Sequence, residues 1–204
     1  MTWGIDVPLI AILRGIRPEE VLDHVGALLE EGFTAIEIPT NSPGWEESIA
    51  RVVKQFGNAG LFGAGTVLQP GQVDALAAVG GRLVVTPNTC AQVIRRARTH
   101  GMTVCAGCAT ATEAFTAIES GAQILKIFPS STFGPGYIHS LKAVLPPDVP
   151  VMAVGGVTPE NLASWLQAGC AGAGLGSDLY RAGQPVGRTR EQAQAFIAAW
   201  RKME

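Results

Sequence analysis

Apolar positions along this chain alternate between two periods. Short apolar runs, each of strand length, occur at Leu9–Leu13, Ala35–Ile38, Leu61–Ala64, Leu83–Val85, Thr103–Cys105, Ile124–Phe128, Val151–Val154 and Gly172–Leu175. Between them the apolar residues recur at helical spacing. The stretch "RPEEVLDHVGALLEEG" opens with Pro18 and two acidic residues and closes at Gly32, as a helix start and stop should. "TEAFTAIESG" and "TPENLASWLQAG" also close at a glycine, and a last helix is expected over Arg190–Lys202, after the polar loop "RAGQPVGR". Strand signals that are each followed by a helix signal predict parallel strands joined by right-handed crossovers. The fold class is therefore α/β, and a single (β/α)8 TIM barrel over residues 1–204 is the economical solution. An open doubly wound sheet is the alternative.

Composition narrows the function classes. The chain has 204 residues, 47% of them hydrophobic, enough for one core, and no internal shift or linker divides it. With a formal net charge of -2 and scattered basic residues, nucleic acid and anionic membranes are not expected partners. The opening "MTWGIDVPLIAILRG" has no basic region before its apolar run, which Asp6, Pro8 and Arg14 interrupt. It reads as neither a signal peptide nor a membrane span. Four cysteines fit free thiols in a reducing, cytoplasmic setting. "CAGC" (Cys105, Cys108) has redox-motif spacing, but with no second cysteine pair or histidine cluster it reads as packing at a strand end.

Polar residues at the C-terminal ends of barrel strands are where such folds place their chemistry. Four strand signals end unusually: "ILRG" with Arg14, "AIEIP" with Glu37, "GAGT" with Thr66 and "ILKIF" with Lys126. Strand side chains alternate between faces. If Ile36 and Ile38 face the helices, Glu37 faces the barrel interior. By the same logic Leu125 and Ile127 point outward while Lys126 and Phe128 point inward. A lysine in a low-dielectric pocket loses preference for its ammonium form. Its neutral amine can attack a carbonyl and form a Schiff base, which permits C–C cleavage without a metal or cofactor. Glu37 is placed to shuttle the proton. The competing reading is a buried Lys–Glu pair with no chemistry.

Two later strand ends read as anion sites. "AVGGVTPEN" places Gly155 and Gly156 after a strand and before a helix start, and "GLGSDLY" does the same with Gly176 and Ser177. Glycine lets backbone N–H groups approach an anion, and a helix N-terminus favours negative charge. Turns also need glycine, so it is the pair of loops after strands seven and eight that points to phosphate. Arg14 is a candidate carboxylate clamp or a rim ion pair. Thr66 is a hydroxyl donor or a structural strand end, and Pro87 ("VTPN") and Phe128 shape the wall. His24, His100 and His139 lie on helical stretches and receive no role.

The set "ILRG", "AIEIP…NSP", "GAGTVL", "VTPN", "KIFPSS", "AVGGVTPEN" and "GAGLGSDLY" resembles the class I 2-keto-3-deoxy-6-phosphogluconate and -galactonate aldolases, in the same order from about residue 8 to residue 183. The resemblance implies a homotrimer that cleaves a phosphorylated 2-keto-3-deoxy sugar acid reversibly to pyruvate and D-glyceraldehyde 3-phosphate. It implies Lys126 as the Schiff-base lysine and Glu37 as the general acid/base. Arg14 and Thr66 fall at substrate positions, and the two glycine loops at the phosphate site. Gluconate-type members have an arginine four residues after the glutamate; here that position is Asn41, which leaves Arg14 as the carboxylate ligand. Where they have threonine before the Gly pair, this chain has Val154, which cannot hydrogen-bond the substrate C4 hydroxyl. Both departures resemble the galactonate branch. The alternatives are the same chemistry on the gluconate epimer, a different phosphosugar barrel enzyme such as an epimerase or isomerase, and a non-catalytic phosphosugar-binding module.

Overall fold

A computed structural model describes residues 5–203. The part of the N-terminal reading that falls on residues 1–4, and the last position of the 1–204 domain, lie outside the described residues.

Eight strands alternate with eight helices: β1 (Leu9–Ile12), α1 (Val21–Glu30), β2 (Ala35–Pro39), α2 (Trp45–Phe56), β3 (Leu61–Gly65), α3 (Pro70–Ala78), β4 (Leu83–Val85) and α4 (Ala91–Thr99), then β5 (Thr103–Cys108), α5 (Ala111–Glu119), β6 (Ile124–Ile127), α6 (Ser130–Lys142), β7 (Val151–Val154), α7 (Leu162–Gln167), β8 (Gly172–Leu175) and α8 (Val186–Arg201). Every strand pairs in parallel with its sequence neighbour, and β8 pairs back onto β1 with Ala173 opposite Leu9, closing the barrel. That closing pair excludes the open sheet.

The alternation of side chains sorts the core into two layers. Ile36, Ile38, Leu125 and Ile127 pack outward, in the layer between sheet and helices. Ile10, Ile12, Leu83, Val85, Ile124 and Met152 fill the barrel interior. Several inward positions hold no side chain. Gly63, Gly65, Gly107, Gly172 and Gly174 occupy them, and at Gly65 an added Cβ would stand 2.0 Å from the Glu37 carboxylate. The interior is thus cleared where long polar side chains must enter.

Helix boundaries depart from the expected ones for local reasons. Pro18 and the first acids precede α1 in a turn, because the Glu20 carboxylate accepts from the Arg17 N–H and the Tyr180 hydroxyl instead of entering the helix. α8 starts at Val186, inside the stretch read as a polar loop: Pro185 stands just before it with extended backbone, where its missing N–H costs no bond. α7 is one short helix beginning at Leu162, six residues after Gly156, because Asn161 and Thr158 bond each other's backbone in a turn. His24 lies in α1 and His139 in α6, while His100 caps the end of α4.

The "CAGC" cysteines lie within β5, with Cys105 in the interior layer and Cys108 in the outer one. Three residues apart on a strand, they face opposite sides of the sheet, and both thiols are free. Among the described residues no helix is long and apolar enough to cross a membrane.

Candidate active site

β2 and β6 stand on opposite walls of the barrel, four strands apart in either direction. Each carries one ionisable residue at its third position: Glu37, beside Ile12 and Gly63, and Lys126, between Gly107 and Met152. Both are buried, Glu37 with 1% and Lys126 with 6% of its surface exposed. Lys126 and Glu37 form neither a hydrogen bond nor an ion pair within 4.0 Å. Each still feels the other. Desolvation pushes the Glu37 carboxyl up to about 7, against the pull of Lys126 and Arg14. Burial holds the Lys126 ammonium below its ordinary value, against the pull of Glu37. Among the described residues Glu37 Oε2 has no hydrogen-bond partner. A buried carboxylate oxygen left open in this way can take a proton from something that enters. The Phe128 ring covers the amine, with Nζ 4.8 Å from its centroid.

Above this pair opens a cavity of about 490 Å³ at the C-terminal ends of the strands, the size of a small-ligand site. Lys126 and Phe128 line it, as do Arg14, Val154, Gly155, Gly156, Gly176 and Ser177. Glu37, Thr66 and Pro87 lie outside its lining. Glu37 is coupled electrostatically to Lys126 from the opposite wall, and Thr66 touches the cavity-lining Arg14. Pro87 backs onto Gly107, where an added Cβ would meet its backbone at 2.4 Å.

Arg14 is held at the rim by two side chains, donating to Asn41 Oδ1 at 2.7 Å and to Thr66 Oγ1 at 3.3 Å. Among the described residues Thr66 is the only non-glycine with positive φ, 55°. Such a conformation costs about 1–3 kcal/mol and persists only when its surroundings impose it. The Thr40 hydroxyl does so here by donating to the Thr66 carbonyl at 2.7 Å. Asn41, read from sequence only as a missing arginine, is thus the residue that aims Arg14.

The two glycine loops differ in kind. Gly155 (φ 98°) and Gly156 (φ 73°) need glycine for their backbone. Gly176 has no positive φ, and a Cβ there would meet no atom within 4 Å. Neither loop leads straight into a helix: α7 starts at Leu162 and α8 at Val186. The expected helix N-termini at the anion site are therefore absent, and any pull on an anion comes from loop N–H groups and side chains. Sequence reasoning also missed Asp178, Tyr180 and Arg181, which line the same cavity. They follow Ser177 directly, so the rule that barrel loops carry function could have found them.

The fold is that of a barrel enzyme whose strand ends hold a buried amine and a buried carboxyl, a pair able to break the bond between the α and β carbons of a ketone as a lyase does. Comparison with known proteins narrows the class. The KDPG and KHG aldolase family profile matches residues 5–187. The 2-dehydro-3-deoxy-6-phosphogalactonate aldolase of Escherichia coli (strain K12) is 67% identical over 202 residues, 99% of this chain and 98% of the relative. A solved structure described as native KDPGal superposes with a TM-score of 0.98 at 67% identity, covering 99% of this chain and 98% of that one. A cube-shaped protein cage, designed by fusing symmetric oligomeric domains, contains a match with a TM-score of 0.96 at 68% identity, covering 97% of this chain and 73% of that one. The chain belongs to the KDPG and KHG aldolase family, and it is an aldolase.

Proposed function

We propose that this aldolase cleaves 2-dehydro-3-deoxy-6-phosphogalactonate reversibly to pyruvate and D-glyceraldehyde 3-phosphate, through a Schiff base on Lys126. The observation that carries the proposal is the buried amine of β6 facing a buried carboxyl on β2 whose pKa is pushed up to about 7. The Lys126 amine adds to the C2 ketone, and loss of water leaves a protonated imine. Glu37 takes the proton of the C4 hydroxyl, directly or through water. The C3–C4 bond breaks, its electron pair moves into the imine to give an enamine, and the aldehyde leaves. Protonation at C3 and hydrolysis then release pyruvate and regenerate the amine. Arg14, aimed by Asn41 and Thr66, holds the substrate carboxylate. Gly155, Gly156, Gly176 and Ser177 hold the phosphate. No metal or cofactor enters these steps.

Val154 supports the galactonate epimer: it lines the cavity, is 5% exposed, and offers no hydrogen bond where a hydroxyl would orient the gluconate C4 oxygen. The resulting discrimination is about 1–3 kcal/mol. We place the enzyme in the cytoplasm, on its free cysteines, and read it as a homotrimer. A symmetric oligomer is supported by the cage built from fused oligomeric domains around a 68% identical chain.

The test is a side-by-side pyruvate-release assay on the two C4-epimeric phospho sugar acids in EDTA. It is paired with borohydride reduction in the presence of pyruvate and mass mapping. Faster release from the galactonate epimer and a stable adduct on Lys126 are expected. Preference for the gluconate epimer overturns the reading of Asn41 and Val154. Absence of any adduct overturns the mechanism.

A further inference from the structure

The proposed phosphate loops lack a charge. Gly155, Gly156 and Gly176 offer neutral N–H groups and Ser177 one hydroxyl, and the adjacent Asp178 carboxylate lines the same cavity. A phosphate dianion placed there without a cation would face a carboxylate across neutral donors. Of the three cationic side chains lining the cavity, Arg14 is engaged at the rim by Asn41 and Thr66, and Lys126 is buried on the β6 wall. The third is Arg181.

Arg181 is placed by three contacts that leave its charge open. Its Nε donates to the Ser177 carbonyl at 2.9 Å, which folds the side chain back over the glycine–serine loop. Its backbone N–H donates to Gln184 Oε1 at 3.0 Å, and its carbonyl accepts from the Gln184 N–H at 3.1 Å. Gln184 is in turn tied by its Nε2 to the Leu179 carbonyl and to the buried Thr189 hydroxyl. Arg51, Arg96, Arg188 and Arg190 are each paired with a carboxylate, whereas Arg181 is not. Among the described residues neither terminal guanidinium nitrogen has a protein partner, which leaves them in the forked geometry that suits two phosphate oxygens.

We propose that Arg181 is a further substrate-binding residue, the cation that neutralises the terminal phosphate and gives the enzyme its preference for phosphorylated over unphosphorylated 2-keto-3-deoxy sugar acids. The inference rests on the reading of the substrate given above and adds a specificity determinant to it. Arg181 binds the group remote from the reacting carbons, so it acts on affinity for the phosphorylated substrate and leaves imine formation untouched.

The experiment compares the wild-type enzyme with Arg181→Ala and Arg181→Lys on 2-dehydro-3-deoxy-6-phosphogalactonate and on its unphosphorylated counterpart. A lost charge-assisted contact of this type corresponds to about a 10- to 100-fold effect. KM for the phosphorylated acid should therefore rise at least tenfold in Arg181→Ala, with kcat changed less than about threefold. Activity on the unphosphorylated acid and borohydride trapping of pyruvate should stay at the wild-type level. Lysine should restore part of the loss, since it keeps the charge but not the fork. An equal loss on both substrates, or an unchanged KM, overturns the proposal. Inorganic phosphate gives an arm independent of the substrate. Against a chloride control it should raise Tm in the wild type by mass action, and Arg181→Ala should abolish that rise. An undiminished rise in the variant overturns the role of Arg181. If the wild type cleaves neither epimer, the substrate reading fails and the phosphate arm still decides this one.

Discussion

At the scale of single residues the site combines groups that the rest of the molecule would exclude. Glu37 shows how the same burial serves reactivity and opposes stability. Its carboxyl has an ordinary value of 4.5 and is pushed up to about 7 in the folded chain. Below about 7 it holds its proton, so as a base it works only above that, and the cleavage rate should rise with pH through about 7. The stability sign is the reverse. The folded state binds this proton more tightly than the unfolded chain, so stability is lost as pH rises from 4.5 towards 7, and the full cost remains above that. A shift of this size corresponds to on the order of 3 kcal/mol. Glu37→Gln should therefore lose about 100-fold or more in kcat. It should match wild-type stability near pH 4.5 and exceed it at pH 8, by urea denaturation at the two pH values. A variant equally or less stable at pH 8 would show that Glu37 ionises at no cost. The inward direction of Glu37 and Lys126 was legible from strand alternation, because both sit between pairs of aliphatic residues. The role of Asn41 was not, since the Arg14 contact spans 27 residues of sequence and no local pattern encodes it.

At the scale of elements, what matters is how strand ends are fixed to one another. Ser130, at the start of α6 and fully buried, donates its hydroxyl to the Ile127 carbonyl at 2.8 Å and accepts from the Val154 N–H at 2.9 Å. One oxygen thus joins the end of β6, beside Lys126, to the end of β7, where Val154 and the Gly155–Gly156 loop begin. The Ser131 N–H adds a bond to the Gly155 carbonyl at 3.1 Å. Ser130→Ala leaves the buried Val154 N–H without a partner, at a cost of about 1–3 kcal/mol. The expected result is a lower urea midpoint together with a fall of about tenfold in kcat/KM. An unchanged kcat/KM in a destabilised variant would mean that the bridge supports the fold and not the site. Strands were the legible elements, since each is a short apolar run with an unambiguous period. Helix ends were less so. The first turn of α1 is displaced by contacts of Glu20 with Tyr180, 160 residues away, and α7 is shortened by a side-chain turn at Asn161. The helix N-termini expected beside the phosphate loops failed for the same reason, and Arg181 went unread because it lies in the segment taken as a linking loop.

At the scale of the whole molecule the barrel closes where α8 returns to α1, and that seam is polar in part. Arg190 pairs with Glu30 and with Glu31, the latter at 2.9 Å, on its outer side. Inside it, the fully buried Thr189 accepts from Gln184 Nε2 at 2.7 Å and lies 2.8 Å from His24 Nδ1. The Thr189 hydroxyl accepts from Gln184 and shares a further hydrogen bond with Nδ1, whose direction is set by the imidazole tautomer. His24 also stands edge-on to Tyr180, 5.0 Å between ring centroids, and Tyr180 lines the cavity. Burial lowers the His24 pKa from 6.5, a shift that the Glu20 and Asp23 carboxylates oppose. A histidine kept neutral in the fold is protonated first in the unfolded chain, so stability should be lost as pH falls below 6.5. His24→Asn offers a carbonyl oxygen that can accept from Thr189 and does not titrate. Its Tm should start lower at pH 7.5, through lost packing, and fall less than that of the wild type between pH 7 and pH 5 by calorimetry. Parallel Tm profiles for the two proteins would show that His24 is not the source of acid sensitivity at the seam.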